Sequence, residues 1–410
     1  MASSRGKQRR IVVPAPIPTD TRVGVCFILT RLPTAVAVVT FRYLDQIDRS
    51  SAMQTCHTLC AIGLQPASCA QLRVAEISGS IPPHAMWNLR TRLAHLETLA
   101  LGFCNKLAAP TEILAAFVSE SRPPRPNFRL KFSVTKVTNV VATEHDGKRL
   151  TPWIERVTSV RTRYIQVNSH EMKQPLALFG CVLPGTLERL SIHYSMVGSE
   201  RMMQIATQFP KLRALSLDLY PSTLPALAPI CGSLVQVRFS VYRSVDDNSA
   251  DEKQWTAYKA ICSKLTCCTR AHLSSDTVGW AFTLGCVMPA LQRLVVEDYS
   301  GPHRCNSRIL RGLRVTSPVL GELVLKSMKL TSDMFEALVA AFGAKQSALH
   351  TLEFRSCIVS HPCNWLLLDP LASLRRVYFV GMFVDRFEQA GIKRVLSRAS
   401  VAYVEKKSSK

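Results

Sequence analysis

The hexad Leu-x-x-Leu-x-Leu recurs through this chain, and no other feature limits its fold as much. Copies stand at Leu96-Leu99-Leu101, Leu187-Leu190-Ile192, Leu212-Leu215-Leu217 and Leu234-Val237-Phe239. Four more follow at Leu291-Leu294-Val296, Leu320-Leu323-Leu325, Leu349-Leu352-Phe354 and Leu374-Val377-Phe379. From Leu187 onward, successive starts lie 25, 22, 57, 29, 29 and 25 residues apart. Within Leu-x-Leu the side-chain period is two, so both apolar residues face one side of a short strand. The leucine three residues earlier packs under the turn. One such unit cannot bury its apolar face alone, whereas stacked units share a continuous core.

The step of 57 is close to two repeats, and a degraded copy is expected near residues 265–273. The gap of 91 between Leu96 and Leu187 is about three repeats, with weak copies expected at 128–132 and near 164–167. Between the strands, residues 202–209, 255–265 and 334–342 carry apolar side chains at three- and four-residue spacing, which predicts helices. Hydrophobic residues make up 47% of the chain and charged ones 20%, too apolar a balance for a disordered protein.

No apolar run approaches the roughly 20 residues that cross a bilayer. The best stretch, 23–41, is cut by Arg31 and Pro33. Pro14, Pro16 and Pro18 break the apolar segment behind the basic N-terminus, so no secretory signal is expected. The 14 cysteines are scattered inside apolar patterns. They predict free thiols in a reducing compartment, cytoplasmic and/or nuclear, with no membrane partner.

Spacings of 22–29 match leucine-rich repeats, for which about 20–29 is typical. Two copies extend the pattern, Leu96-x-x-Leu99-x-Leu101-x-x-Cys104 and Leu349-x-x-Leu352-x-Phe354-x-x-Cys357. They place a cysteine where such repeats carry Asn or Cys, to bond or pack inside the turn leaving the strand. Residues 66–404 therefore resemble the leucine-rich-repeat family, in its cysteine-containing, ribonuclease-inhibitor-like branch. The resemblance implies an α/β solenoid, a curved parallel sheet with outer helices. Residues 121–175 are expected to be an irregular basic segment within it, and residues 1–20 and 405–410 to be tails.

Residues 21–65 stand in front of the repeats. Leu32-Pro33 opens a segment with Val36, Phe41 and Leu44 at the apolar positions of an F-box, Asp48 at the acidic start of its second helix and Cys56 near its end. This segment resembles that family, which often precedes leucine-rich repeats. It departs at Ala35, Thr40 and Leu59, where the family usually has an acid, Ile and Trp. Pro33 suits the first turn of a helix. Val36, Thr40 and Leu44 fall on one helical face, yet the β-branched run 36–40 favours a strand on propensity alone. The alternative is a cap on the apolar end of the solenoid.

The F-box resemblance implies a small helical module that docks on the adaptor subunit of a cullin-RING (SCF-type) ubiquitin ligase through Leu32, Pro33, Val36, Phe41 and Leu44. The repeats would then bind a target protein, and the chain would be a receptor that breaks no bond itself. Substrate contacts are expected on the concave sheet face, at the non-leucine strand positions. Arg189, His193, Arg238, Arg293, Glu297, Lys326, Glu353, Arg355 and Tyr378 are the candidates. Both signs of charge and an aromatic suit a protein epitope.

The formal net charge is +22, from 51 Lys and Arg against 29 Asp and Glu. Residues 1–19, 121–175 and 393–410 carry 16 of these excess charges. Two alternatives stay open: a repeat scaffold without a ligase role, and a basic scaffold associated with nucleic acid. No phosphate loop, dinucleotide fingerprint or nucleophile elbow occurs, so no enzyme activity, catalytic residue or cofactor is expected. Cys262, Cys267, Cys268 and His272, and Cys357, His361 and Cys363, lack paired metal-ligand spacing and fall on repeat positions, so no metal is expected.

Overall fold

Each leucine hexad ends in a strand, and the strands stack in the order of the chain. The computed structural model describes residues 34–43, 53, 61–62, 65, 71–77, 96–103, 127–138, 150–166, 175–178, 181–241, 252–275, 285, 287–298, 317–343, 347–359 and 364–404. The chain divides into two compact units, Met1–Leu72 and Arg73–Lys410.

The first unit contains helix α1 (Thr34–Tyr43). A β-branched run is helical here, against its local preference. The buried stripe is Ala37 and Phe41, at 1% and 2% exposure, four residues apart, while Val36 is exposed. This stripe is offset by one residue from the Val36–Thr40–Leu44 face expected from the sequence. Leu32, Pro33 and Leu44 lie outside the described residues, as do both expected tails.

The sheet begins with β1 (Gln71–Ile77), β2 (Thr98–Phe103), β3 (Arg129–Thr138) and β4 (Val157–Gln166). Two short strands, β5 (Ala177–Leu178) and β6 (Cys181–Val182), lie off its main path. Then come β7 (Arg189–Val197), α2 (Ser199–Gln208), β8 (Ala214–Leu219), β9 (Gln236–Val241), α3 (Glu252–Ser263), β10 (Arg270–Ser275) and β11 (Arg293–Asp298). The chain closes with β12 (Glu322–Lys326), β13 (Lys329–Leu330), α4 (Ser332–Phe342), β14 (Thr351–Arg355), β15 (Ile358–Val359), β16 (Arg376–Val380), α5 (Arg386–Val395) and β17 (Ser400–Val404). The path runs β1-β2-β3-β4-β7-β8-β9-β10-β11-β12-β14-β16-β17, and neighbours pair in parallel from β2 to β17. This is the α/β solenoid expected of the repeats.

The register explains the hexad. Leu217, Phe239, Leu273, Val296, Leu325, Phe354 and Phe379 form one column across seven strands. Every one of them is exposed by 1% or less. Burying each such side chain is worth about 1.5–3 kcal/mol. Serine side chains tie rung to rung at the strand entries. Ser233 donates to the Leu212 carbonyl at 2.9 Å, Ser317 to Leu291 at 2.8 Å and Ser373 to Leu349 at 2.7 Å. In each case the acceptor is the first leucine of the preceding hexad.

The cysteine expected inside the turn does bond there. Cys357 is buried, and its thiol donates to the carbonyl of Leu325, one rung earlier, at 3.3 Å. Cys104 lies outside the described residues. The residue before Cys357, Ser356, has a φ of 51°, and its counterparts in neighbouring rungs, Ser327 and Gly381, have 56° and 61°. Three successive strands thus leave the sheet through one left-handed residue each.

Helices fall on all three stretches with helical spacing. α2 buries Met202, Ile205 and Ala206, and α4 buries Met334, Phe335, Ala337, Leu338 and Phe342. Thr331 caps α4 by accepting from the Met334 N–H, and Asp385 caps α5 by accepting from the Glu388 N–H. At the far end the core turns aromatic: Phe354, Phe379 and Tyr403 stack with ring centroids 5.4 and 5.0 Å apart.

Residues 121–175 contain regular structure in place of the irregular segment expected. β3 and β4 pair in parallel, and β4 pairs with β7. The rung expected near 164–167 lies earlier, because Val160 and Thr162 take the places of Leu190 and Ile192. Thr162 is 1% exposed. The degraded rung at 265–273 is present as β10, with Ala271 and Leu273 opposite Val237 and Phe239.

Candidate functional site

Alternation along each strand sends the leucines to the core and the residues between them to the opposite, open face. The first open column runs Lys131, Ser159, Arg189, Ala214, Gln236, Arg270, Arg293, Glu322, Thr351 and Arg376. The second runs Ser133, Arg161, Ser191, Ser216, Arg238, His272, Val295, Val324, Glu353 and Tyr378. Arg189, Arg238, Arg293, Glu353 and Tyr378 thus lie in these two columns, as the sequence predicts. Arg189 is exposed, while Arg238, Arg293, Glu353 and Tyr378 are half-buried.

A third column, at the strand ends, differs from expectation. Asp218, Ser240, Ser274 and Glu297 align across β8 to β11 and are all buried. The sequence pattern places this position toward solvent, but in the structure it is polar and closed. Ser274 Oγ reaches Ser240 Oγ at 3.3 Å. Lys326 and Arg355 continue the column in β12 and β14.

Glu297 is the centre of a charged cluster. His272 Nε2 lies 2.9 Å from its Oε2, and Lys326 Nζ pairs with its Oε1. Burial alone would raise the carboxyl, but hydrogen bonds from His272 and Lys326, and the lysine charge, overcome this and hold it at about 2. Beside this cluster, Arg293 pairs with Glu322 at 3.5 Å, and Arg355 Nε donates to Glu353 at 2.7 Å. Five of the nine expected substrate contacts, Arg293, Glu297, Lys326, Glu353 and Arg355, are therefore engaged in ion pairs on the sheet.

The other half of the face is built differently. Within strands β3 to β10, Asp218 is the one acidic residue, and it is 8% exposed. Lys131, Arg161, Arg189, Arg238 and Arg270 stand there without a carboxylate partner among the described residues. His193 lies among them, with Nε2 2.7 Å from Ser191 Oγ. Burial lowers the His193 pKa, the positive charges of Arg161 and Arg238 lower it further, and Asp218 opposes them.

Arg161, Arg270 and His272 were not among the expected contacts. Their rungs hide from a leucine search, because Thr162, Cys268 and Ala271 stand where leucines are expected. Even spacing of rungs, with alternation inside Val157-x-x-Val160-x-Thr162, was the available signal.

Among the described residues, Cys262, Cys267, Cys268 and His272 do not converge on a metal site, and His361 and Cys363 of the second set lie outside the described residues. Cys262 and Cys268 are buried and Cys267 is exposed, while His272 faces Glu297. Burial, with its neighbours adding to the effect, pushes the Cys262 thiol far up, and burial raises Cys231 and Cys268 to about 11. Such thiols are inert packing groups. No group of three or more His, Cys, Asp or Glu able to hold a metal occurs among the described residues. No described helix is long and apolar enough to cross a membrane.

No family model matches the chain, and no curated protein matches it in sequence. Among solved structures, the chain is similar to a leucine-rich-repeat protein of Leptospira interrogans, at 13% identity and a TM-score of 0.25. The match covers 86% of this chain and 98% of that one. The solenoid itself is established by the strand pairing described above.

Proposed function

We propose that the chain is a non-catalytic protein-binding scaffold, and that it serves as the substrate-recognition subunit of an SCF-type ubiquitin ligase. The open sheet face would hold the target protein. The N-terminal unit would dock on the adaptor, and through it the cullin, with Leu32, Pro33, Val36, Phe41 and Leu44 forming or supporting the contact. The observation that carries this reading is that residues 34–43 form a helix in a unit distinct from the solenoid. A first rung of the stack would be a strand. Val36, at 46% exposure, is available for contact, whereas buried Phe41 would support the docking surface from within.

Such a receptor makes and breaks no bond. It holds lysines of the target beside a charged conjugating enzyme, and the rate gain comes from effective concentration. It would work in the cytoplasm or nucleus. The test is co-purification of the adaptor and cullin with the full chain, repeated with a Leu32→Ala/Pro33→Ala double variant. Both partners are expected with the parent chain and neither with the variant. Their absence from the parent chain overturns the ligase role and leaves a scaffold.

A further inference from the structure

The two halves of the open face offer different chemistry to a ligand. From β11 to β16, most charges are satisfied within the protein. From β4 to β10, arginines stand among serines, Ala214, Gln236 and two histidines. Arg161 and Arg238 share one column, and Arg189 and Arg270 share the next. Each pair is separated by two intervening strands. Between them the columns hold Ser191, Ser216, Ala214 and Gln236.

We infer that the β4–β10 half of the open face binds an acidic, extended protein segment, with carboxylates seated on Arg161, Arg189, Arg238 and Arg270. This rests on the reading of the open face as a protein-binding surface and names the class of its partner.

Three observations support it. The first is charge. The four guanidinium groups have no carboxylate partner among the described residues, and the one acidic side chain in these strands is buried. Arginine forks pair with carboxylates in two-point contacts, which favours such a ligand. The second is spacing. Neighbouring strands lie about 4.8 Å apart, so the members of each pair, three strand steps apart, are separated by about 14 Å. An extended peptide advances about 3.3 Å per residue, so acids four residues apart span about 13 Å. The third is shape. Ser191, Ala214 and Ser216 between the pairs are small and leave room for a peptide backbone to lie close to the sheet, with the longer Gln236 beside Arg270 able to hydrogen-bond it. The His193 pKa, lowered first by burial and then by the charges of Arg161 and Arg238 against the opposing Asp218, is consistent with this placement of the arginines.

Nucleic acid would fit this face less well. Base stacking needs aromatic platforms, and the described open-face side chains of β4 to β10 include none. Among the described open-face side chains, the aromatic one, Tyr378, lies in β16, in the other half.

The test is a titration of the full chain with a labelled oligoglutamate peptide, a neutral oligoglutamine peptide and a labelled oligothymidylate strand. Variants are Arg161→Gln/Arg238→Gln, Arg189→Gln/Arg270→Gln and, as a control on exposed α5, Arg386→Gln. Oligoglutamate is expected to bind in a salt-sensitive way, and oligoglutamine not to bind. Each double variant should weaken the oligoglutamate complex by about tenfold, and Arg386→Gln should leave it unchanged. Both double variants alter a solvated surface, and unchanged melting curves verify that they fold. The inference is overturned if oligoglutamate does not bind, if both double variants bind it as the parent does, or if oligothymidylate binds more tightly and displaces it. None of these substitutions touches residues 32–44, so adaptor co-purification separates failure of this inference from failure of the ligase reading.

Discussion

Strands β4–β10 and β11–β16 share one register and one core, yet they treat charge in opposite ways. In the later half, Glu297 gathers His272 and Lys326, Arg293 meets Glu322, and Arg355 meets Glu353. In the earlier half, Arg161, Arg189, Arg238 and Arg270 stand on the face with no carboxylate partner among the described residues. The cores differ as well. The earlier rungs bury Phe209 and Phe239 among Leu215, Leu217, Val237 and Leu273, while Phe335, Phe354, Trp365 and Phe379 form an aromatic cluster in the later ones. Both left-handed serines also belong to the later half. A repeat fold fixes only the alternating leucines, so its outer face is free to be tuned rung by rung. One half has become a self-contained polar lattice, and the other presents four arginines without carboxylate partners among the described residues.

The largest effects should come from the shared core. Phe379→Ala in the later half is expected to cost about 3–5 kcal/mol, and Leu217→Ala in the earlier half about 2–5 kcal/mol. Chemical denaturation of the two variants checks this. If one of them left the midpoint unchanged, the halves would not share a continuous core.

A smaller effect should separate the faces by pH. The Glu297 carboxyl is depressed, so its contribution to stability is full above its unfolded value near 4.5 and is lost as pH falls toward about 2. Glu297→Gln is expected to cost about 1–3 kcal/mol at neutral pH. The gap between variant and parent should narrow below pH 4.5 in melts taken along a pH series. A gap independent of pH would mean that the cluster does not hold Glu297 ionised.

The smallest effect concerns the turns. Ser356 and Ser327 pay for left-handed conformations that Gly381 adopts freely. Ser356→Gly is expected to raise stability by about 0.5 kcal/mol, the balance of relieved strain and added chain entropy. A thermal melt with a lower midpoint would show that the serine side chain matters more than its φ.

Much of this architecture was legible in the hexads. Their alternation gives the strands, and the stretches at 202–209, 255–265 and 334–342 give the helices. The difficulties came where other residues do the work of leucine. Thr162, at 1% exposure, completes a rung because a buried threonine in a strand fills nearly the volume of valine. Ala271 does the same beside larger neighbours. Helix α1 was ambiguous because β-branched residues prefer strands locally, and here the burial of Ala37 and Phe41 accompanies the opposite choice. At the face, alternation told which residues point outward. It gave no sign that Glu297 would be buried and engaged by both His272 and Lys326, because that depends on which side chains neighbouring rungs bring to the strand ends. The excess charge of residues 121–175 was plain in the sequence, but its placement on the sheet required knowing that the segment forms rungs.

The division of the face is tested most directly by neutralising one lysine and one arginine side by side. Lys326→Gln and Arg238→Gln are compared for denaturation midpoint and for oligoglutamate affinity. Lys326→Gln should lower the midpoint by leaving Glu297 short of a partner and should leave the affinity unchanged. Arg238→Gln should leave the midpoint within about 0.5 kcal/mol of the parent and weaken the peptide. Equal losses of stability in both, or a peptide affinity that follows Lys326 instead of Arg238, would contradict the division.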